Sequence, residues 1–214
     1  SPRKGLMFAL SVLLGGFIST FFVLIRSVLN SGISSPQEFQ NIGLNVYATI
    51  PISDVQCEFD RKNEVLKKRH DLSSKSELLL ASKYSEDRSI EAIRSLRTSL
   101  HFGMLETKNN IVMISSGNAS VGKSFVAANL CAVLAQSDKR VLLIDADLRR
   151  GYLHKRFDFD LGVGLSDFLL GSNSVEDMTR KTSIDNLDFV SRGLAPPNPS
   201  ELLMTRKFKD YLEQ

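Results

Sequence analysis

The most specific chemical pattern in the sequence is an octapeptide, Gly117-Asn118-Ala119-Ser120-Val121-Gly122-Lys123-Ser124. It matches the phosphate-binding pattern G-x-x-x-x-G-K-[ST], whose glycines let the backbone approach phosphate oxygens closely. Its backbone N–H groups and lysine ammonium attract anions, and its serine hydroxyl is a ligand for Mg²⁺. The alternative for so short a match is a glycine-rich turn that binds nothing.

The sequence on both sides of this loop favours phosphate binding. Before it, the apolar residues 111–114 predict a buried parallel strand. After it, the alanine- and leucine-rich residues 125–135 predict a helix whose N-terminus abuts the loop. Strand, loop and helix in this order are the context in which the motif binds phosphate.

Two carboxylates follow a second predicted strand, residues 140–144. Asp145 and Asp147 would then lie at the carboxyl end of a parallel strand, where open α/β sheets bind ligands. If the strand frays there, both can reach a Mg²⁺ held by nucleotide phosphates. Alternatively, they only cap the helix that follows. The pattern G-x-G-x-x-G of dinucleotide-binding folds is missing at the loop.

An amphipathic helix is predicted over residues 87–106. At about 100° per residue, Ile93, Leu96 and Leu100 share one face, which we expect to dock on the sheet. The opposite face is charged, and composition alone predicts that it is solvated. That face consists of Glu91, Arg94 and Arg97.

Turn and capping signals place the other elements. Ser35, Pro36 and Gly43 bracket a short helix, and Asn198 opens a helix through residue 212. The remaining predictions are strands at 46–50 and 187–190 and short helices at 161–170 and 175–179.

The composition is that of a folded chain with a membrane segment. Of its 214 residues, 43% are hydrophobic, enough for one domain with a proper core. A net charge of +3, with basic and acidic residues interspersed, gives nucleic-acid binding no support. We expect Cys57 and Cys131 to be free thiols of a reducing compartment.

Residues 5–25 contain no charged side chain. As a helix they would rise about 31 Å, close to the thickness of the hydrocarbon layer of a bilayer. A secretory signal is the alternative, but the run is too long and no small-x-small cleavage pattern follows. Arg3 and Lys4 precede this segment and only Arg26 closely follows it. Because positive charge favours the cytoplasmic side, this distribution slightly disfavours a cytoplasmic C-terminal domain. We still place that domain in the cytoplasm, because its loop needs the nucleotide pool.

The charged, serine-rich residues 53–82 predict a solvated linker. Contact with anionic lipid headgroups is the alternative. Its basic members are Arg61, Lys62, Lys67, Lys68 and Arg69.

Four segments together resemble the membrane-anchored bacterial tyrosine kinases of capsule and exopolysaccharide synthesis. They are EAIRSLRTSL at 91–100, the phosphate loop, VLLIDADLRRG at 141–151 and SRGLAPPNPSELL at 191–203. The resemblance covers nearly the whole chain and implies an α/β fold of the phosphate-loop NTPase type, with a mainly parallel sheet flanked by helices. It implies a transmembrane helix with flanks at 1–29, a juxtamembrane segment and linker at 30–83, and an incomplete kinase domain at 84–214.

The resemblance also implies roles for residues. Lys123 would hold the β- and γ-phosphates of ATP, and Ser124 would bind Mg²⁺. Asp145 and Asp147 would act with the metal, and one of them would accept the tyrosine hydroxyl proton. The charged face of residues 91–97 would join kinase domains into a ring, in which neighbours phosphorylate one another's tails.

The implied protein is a homo-oligomer of the bacterial inner membrane, with its kinase domain in the cytoplasm. Its implied partners are polysaccharide assembly and export machinery and a protein-tyrosine phosphatase.

The sequence departs from the family pattern in two features. The apolar strand that ends in the family's third metal-site aspartate and the C-terminal tyrosine cluster are both missing. We therefore expect a fragment of a longer protein, truncated at its C-terminal end, with weak or no catalysis of its own. Because the chain starts with Ser, we also expect its true N-terminus to lie upstream.

Two rival functions stay open. The related partitioning and septum-positioning ATPases carry a lysine at the second loop position, where this chain has Asn118; this difference favours the kinase. The rivals are a membrane-linked ATPase of that class and a mainly structural regulator of polysaccharide chain length.

Overall fold

The computed structural model describes residues 3–29, 36–68 and 79–213. The chain divides into two units, Ser1–Val46 and Tyr47–Gln214. Each unit has its own architecture.

The first unit contains helix α1, Arg3–Leu29, and helix α2, Pro36–Asn41. Among the described residues, α1 alone is long and apolar enough to cross a membrane, and its apolar side chains are exposed. The short helix α2 ends as predicted at Gly43, which has φ +81° and donates its N–H to the Gln40 carbonyl at 3.0 Å. The predicted cap at Ser35 lies outside the described residues.

The second unit holds the phosphate loop and all described strands. Its first helices are α3 (Asp54–Lys68), α4 (Leu80–Lys83), α5 (Arg88–Met104) and α6 (Lys123–Ala135). Strand β1 (Val141–Ile144) precedes a 3₁₀ helix (Leu153–Phe157), α7 (Leu165–Leu169), α8 (Val175–Met178) and β2 (Thr179–Lys181). The chain continues through β3 (Leu187–Val190), α9 (Pro199–Leu203) and α10 (Arg206–Leu212).

The three described strands form one mixed sheet in the order β1-β3-β2. Strand β1 runs parallel to β3, with Val141 opposite Leu187 and Ile144 opposite Val190. Strand β2 runs antiparallel to β3. The predicted strands at 140–144 and 187–190 are confirmed, and their carboxyl ends meet at one edge of the sheet.

Helix α6 is the centre of the main core. It is apolar around most of its circumference, as expected of a buried helix, and it contacts α4, α5, β1, β3 and the 3₁₀ helix. Helix α5 begins where Asp87 caps it by accepting the Ser89 N–H at 2.8 Å. Its fully buried residues Ile90 and Ile93 belong to this core. Helix α5 therefore packs mainly on α6, and the prediction that it docks on the sheet is wrong.

A second core cluster lies between α7, α9 and α10. It contains Leu165, Leu202 and Tyr211, together with Val190 of β3. The prediction of a single helix over 198–212 is wrong, because the segment forms two helices, α9 and α10. Thr205 lies between them and caps α10 by accepting the Phe208 N–H. The helix predicted over 161–170 is confined to α7, because the preceding residues form a loop.

Two predicted strands are not formed. Residues 111–114 and 46–50 have no ladder partners among the described residues, and the described sheet contains only β1, β3 and β2. Met113 is 85% exposed, and only Ile114 of its segment packs on the main core. An apolar run becomes a strand only when a neighbouring strand pairs with its backbone.

The predicted linker contains a helix. Val55 and Phe59 of α3 pack on the main core, and Leu80 and Ala81 of α4 are buried in it. Burial therefore holds parts of residues 53–62 and 79–82 in place, whereas residues 69–78, which include Arg69, lie outside the described residues. Cys57 and Cys131 are free thiols, as expected.

We predict that Phe189→Ala destabilises the second unit strongly. Phe189 is fully buried, and its ring stacks on those of Phe157 and Phe159 at centroid distances of 5.2 and 6.0 Å. Removing it should lower the free energy of unfolding by about 3–5 kcal/mol in urea titrations. The control is Phe102→Ala, because Phe102 is 66% exposed; equal losses in both variants would contradict the assigned core.

Candidate functional site

The phosphate loop forms a tight bend before α6. Ser120 and Gly122 have φ of +59° and +94°, and Gly122 is the residue directly before the helix. The first helical hydrogen bond runs from the Val126 N–H to the Gly122 carbonyl at 2.9 Å. No atom lies within 4 Å of the Cβ positions of Gly117 and Gly122, so the loop backbone is accessible. A helix N-terminus that follows such a loop attracts anions.

The Lys123 side chain lies against this loop. Its Nζ donates to Ser116 Oγ at 2.9 Å and to the Asn118 carbonyl at 3.2 Å. Ser116 Oγ itself donates to the Asn118 carbonyl at 2.6 Å. Ser124 follows in the first turn and is half-buried. The loop therefore carries a lysine ammonium and a serine hydroxyl at the positive end of a buried helix.

Asp145 is a buried carboxylate, only 3% exposed. Its Oδ2 accepts the Leu153 N–H at 3.1 Å, and its Oδ1 accepts the Asp147 N–H at 3.3 Å. A Cβ on Gly151 would lie 2.5 and 2.6 Å from the two carboxylate oxygens. A glycine is thus required where the loop after β1 folds over Asp145.

Burial raises the pKa of Asp145 to about 6. The hydrogen bonds from Leu153 and Asp147 oppose this change and favour the ionised carboxylate. Burial is the larger effect, so Asp145 holds a proton at pH values where an exposed aspartate is ionised.

Asp147 is exposed, and it caps a turn. Its Oδ1 accepts the N–H groups of Arg149 and Arg150 at 3.3 and 3.0 Å. The sequence also allowed the two acids to act only as caps of a following helix. Asp147 does act as a cap, but of a turn and not of a helix. The two acids occupy one loop but differ in exposure, which their spacing did not predict.

Arg192 is a site residue that no sequence motif indicated. The Asp145 N–H donates to the Val190 carbonyl at 2.9 Å, so the segment after β3 begins beside this acid. The Arg192 guanidinium lowers the pKa of Asp145, although less than burial raises it, and its Nη1 donates to the Leu148 carbonyl at 3.4 Å. The available signal was the position of Arg192 just after the strand predicted at 187–190, which the structure shows to be parallel to β1.

The side chains on the charged face of α5 form an ion pair and hydrogen bonds within the chain. Arg94 pairs with Glu91 and donates to the Ser85 carbonyl at 2.9 Å, whereas Arg97 donates to Ser137 Oγ. Both arginines are half-buried, but Glu91 is exposed. This face is therefore more ordered than the solvated surface that composition predicts.

We predict that Gly151→Ala disrupts the loop around Asp145. The new methyl group would collide with the carboxylate and with the Asp147 carbonyl, 2.6 Å from the Cβ position. The loss should reach about 1–3 kcal/mol of unfolding free energy in urea titrations. The control is Gly103→Ala in α5, where the nearest atom is 3.8 Å from the Cβ position. Equal stability of the two variants would contradict this packing.

We predict a pH dependence of stability from Asp145. Its folded pKa of about 6 exceeds its usual value of 3.8, so the folded state binds its proton more tightly than the unfolded chain. The tighter binding of this proton adds its whole contribution to the free energy of unfolding below pH 3.8, and the contribution is lost as the pH rises through about 6. Asp145→Asn should flatten the curve of unfolding free energy between about pH 4 and 6, measured with EDTA and without nucleotide. Parallel curves for variant and parent would refute the raised pKa.

A family model matches the segment that contains the loop and the sheet. The model describes the CobQ/CobB/MinD/ParA nucleotide binding domain, and it matches residues 112–190. A nucleotide-binding assignment thus agrees with the loop geometry at the start of α6.

Whole-chain comparisons identify tyrosine kinases. The tyrosine-protein kinase ptk of Acinetobacter johnsonii is 46% identical over 215 residues, which cover 100% of this chain and 28% of that protein. The chain therefore spans less than a third of the length of this curated relative.

Two solved kinase domains match the structure. The BceF tyrosine kinase domain is 40% identical with a TM-score of 0.77, and the match covers 86% of this chain and 72% of that domain. The kinase domain of the Escherichia coli tyrosine kinase ETK is 43% identical with a TM-score of 0.73, covering 85% and 69%. With this identity over more than two thirds of each kinase domain, the chain belongs to the bacterial tyrosine kinase family.

Proposed function

We propose that the full-length protein is an ATP-dependent protein-tyrosine autokinase. It transfers a phosphoryl group from Mg-ATP to tyrosines of a neighbouring subunit and thereby regulates polymerisation and export of capsular or extracellular polysaccharide. The observation that carries this proposal is the phosphate loop at the N-terminus of α6, in a chain 40% and 43% identical to two tyrosine kinase domains. The names of these relatives favour the kinase over the partitioning ATPase and the structural regulator.

The loop residues would bind the nucleotide. Backbone N–H groups of residues 117–124 would surround the phosphates, and the Lys123 ammonium would bind the β- and γ-phosphate oxygens. Lys123 already bonds to two oxygens of its own chain, Ser116 Oγ and the Asn118 carbonyl. Phosphate oxygens would replace these partners, because the lysine ammonium sits on a flexible side chain.

The oxygen donors of the site fit Mg²⁺. Ser124, Asp145 and Asp147 offer hard oxygen ligands, which Mg²⁺ prefers. Within the described ranges, no group of three or more His, Cys, Asp or Glu side chains could hold a metal alone. We propose a metal held by one or two carboxylates together with substrate phosphates, which is how proteins commonly bind Mg²⁺. Bound Mg²⁺ would neutralise charge on the phosphates.

The two acids would divide the remaining work. Asp147 is exposed and so can approach a substrate, whereas Asp145 is buried and held by backbone N–H groups. We assign acceptance of the tyrosine hydroxyl proton to Asp147 and orientation of the loop, in addition to its metal role, to Asp145. Phosphoryl transfer depends mainly on such positioning and charge neutralisation.

The membrane and oligomer assignments are part of the proposal. Helix α1 would anchor the protein in the inner membrane within a segment comprising residues 1–29, with residues 30–83 leading to a cytoplasmic kinase domain at 84–214. Glu91, Arg94 and Arg97 would join kinase domains into a ring. The other proposed partners are polysaccharide assembly and export machinery and a protein-tyrosine phosphatase.

We predict that Lys123→Met in the full-length protein abolishes phosphotyrosine. Loss of a charged contact should weaken ATP binding about 10- to 100-fold in titrations with a fluorescent ATP analogue. The matched control is Lys108→Met, which removes an exposed lysine from the loop after α5 and should change neither readout. Undiminished phosphotyrosine in Lys123→Met would contradict the assigned site. Lost phosphotyrosine with unaltered polysaccharide would favour the structural regulator.

A further inference from the structure

Arg97 differs from the other arginine on the charged face of α5. Arg94 pairs with the Glu91 carboxylate, whereas Arg97 makes no ion pair within the part of the chain that the structure describes. Its bond is to a neutral hydroxyl, that of Ser137. A guanidinium has five N–H donors, so Arg97 keeps its charge and most of its donors for another partner.

Ser137 is a well-defined anchor for this guanidinium. It lies two residues beyond the last residue of α6, and its N–H donates to the Leu134 carbonyl at 3.0 Å. Its Oγ donates to the Val133 carbonyl at 3.0 Å and accepts from Arg97 Nη1. Because the single hydroxyl proton is used toward Val133, the oxygen presents its lone pairs to Arg97.

The position of Ser137 at the end of α6 also favours binding of the Arg97 guanidinium, through the charge of the helix end and the rigidity of the helix. The C-terminal end of a helix carries partial negative charge, which stabilises a nearby cation. Helix α6 is buried in the main core, with Ala132, Val133 and Ala135 at most 2% exposed. Ser137 therefore links the half-buried arginine of α5 to the most firmly packed helix of the unit.

We propose that Ser137 is a positioning residue for the contact between kinase domains. It holds the Arg97 guanidinium in one orientation, ready to bind a carboxylate of a second copy of this chain. A side chain ordered before association loses less conformational freedom on binding, so its contacts contribute more to affinity. This inference rests on the proposed oligomer role of the charged face on α5.

The test is a double-mutant cycle in the full-length protein in detergent. Ser137→Ala should raise the dissociation constant of the oligomer about 3- to 10-fold in dilution series followed by mass photometry. Ser137→Thr keeps the hydroxyl and should restore association. The matched control is Thr107→Ala, since Thr107 follows the C-terminus of α5 and its hydroxyl donates to the Met104 carbonyl at 2.8 Å.

The cycle separates positioning from a general loss of stability. Arg97→Ala should weaken association more than Ser137→Ala, and the double variant should be no weaker than Arg97→Ala alone. Additive losses would overturn the proposal, because Ser137 would then act independently of Arg97. A normal dissociation constant in Ser137→Ala, with a raised one in Arg97→Ala, would overturn it while leaving the oligomer surface intact. A normal dissociation constant in Arg97→Ala would contradict the oligomer surface itself.

Discussion

The burial of α6 is the interaction on which the rest of the structure depends. This helix carries the phosphate loop at its N-terminus and contacts α4, α5, β1 and β3 along its length. Its one buried polar side chain, Asn129, is satisfied on both sides: Oδ1 accepts the Ala81 N–H at 2.9 Å and Nδ2 donates to the Phe125 carbonyl at 2.9 Å. Through Ala81 the same helix holds the C-terminal end of the predicted linker. The phosphate loop is therefore attached directly to a rigid, buried element.

A second constraint acts at the carboxyl edge of the sheet. Because β1 and β3 are parallel neighbours, the acids after β1 and Arg192 after β3 emerge at one edge. The chain folds Gly151 and Leu153 over Asp145, which makes this acid a buried support and leaves Asp147 exposed. The proposed division of labour between the two acids follows from this difference in burial and not from their chemistry, which is identical.

Sequence patterns predicted the elements whose stability is decided locally. The apolar residues of α6, the amphipathic pattern of α5 and Gly122 of the loop each specify their own backbone conformation, whereas β1 formed because β3 pairs with it. Residues 111–114 failed as a strand because pairing depends on a partner that hydrophobicity does not specify. Strand β2 was missed because it is polar, and its Arg180 bonds the Asp160 and Leu161 carbonyls. The burial of Asp145 could not be predicted from the sequence either, because it arises where the loop after β1 folds back over this residue.

In the proposed reaction, the γ-phosphate of ATP passes to a tyrosine of a neighbouring copy. The direct measurement mixes affinity-tagged full-length Lys123→Met protein with untagged parent protein, γ-labelled ATP and Mg²⁺, and then separates the two species. We expect labelled phosphotyrosine on the tagged copies, and only when the parent protein is present. Release of labelled inorganic phosphate with no label on tyrosine would contradict it and would identify an ATPase instead.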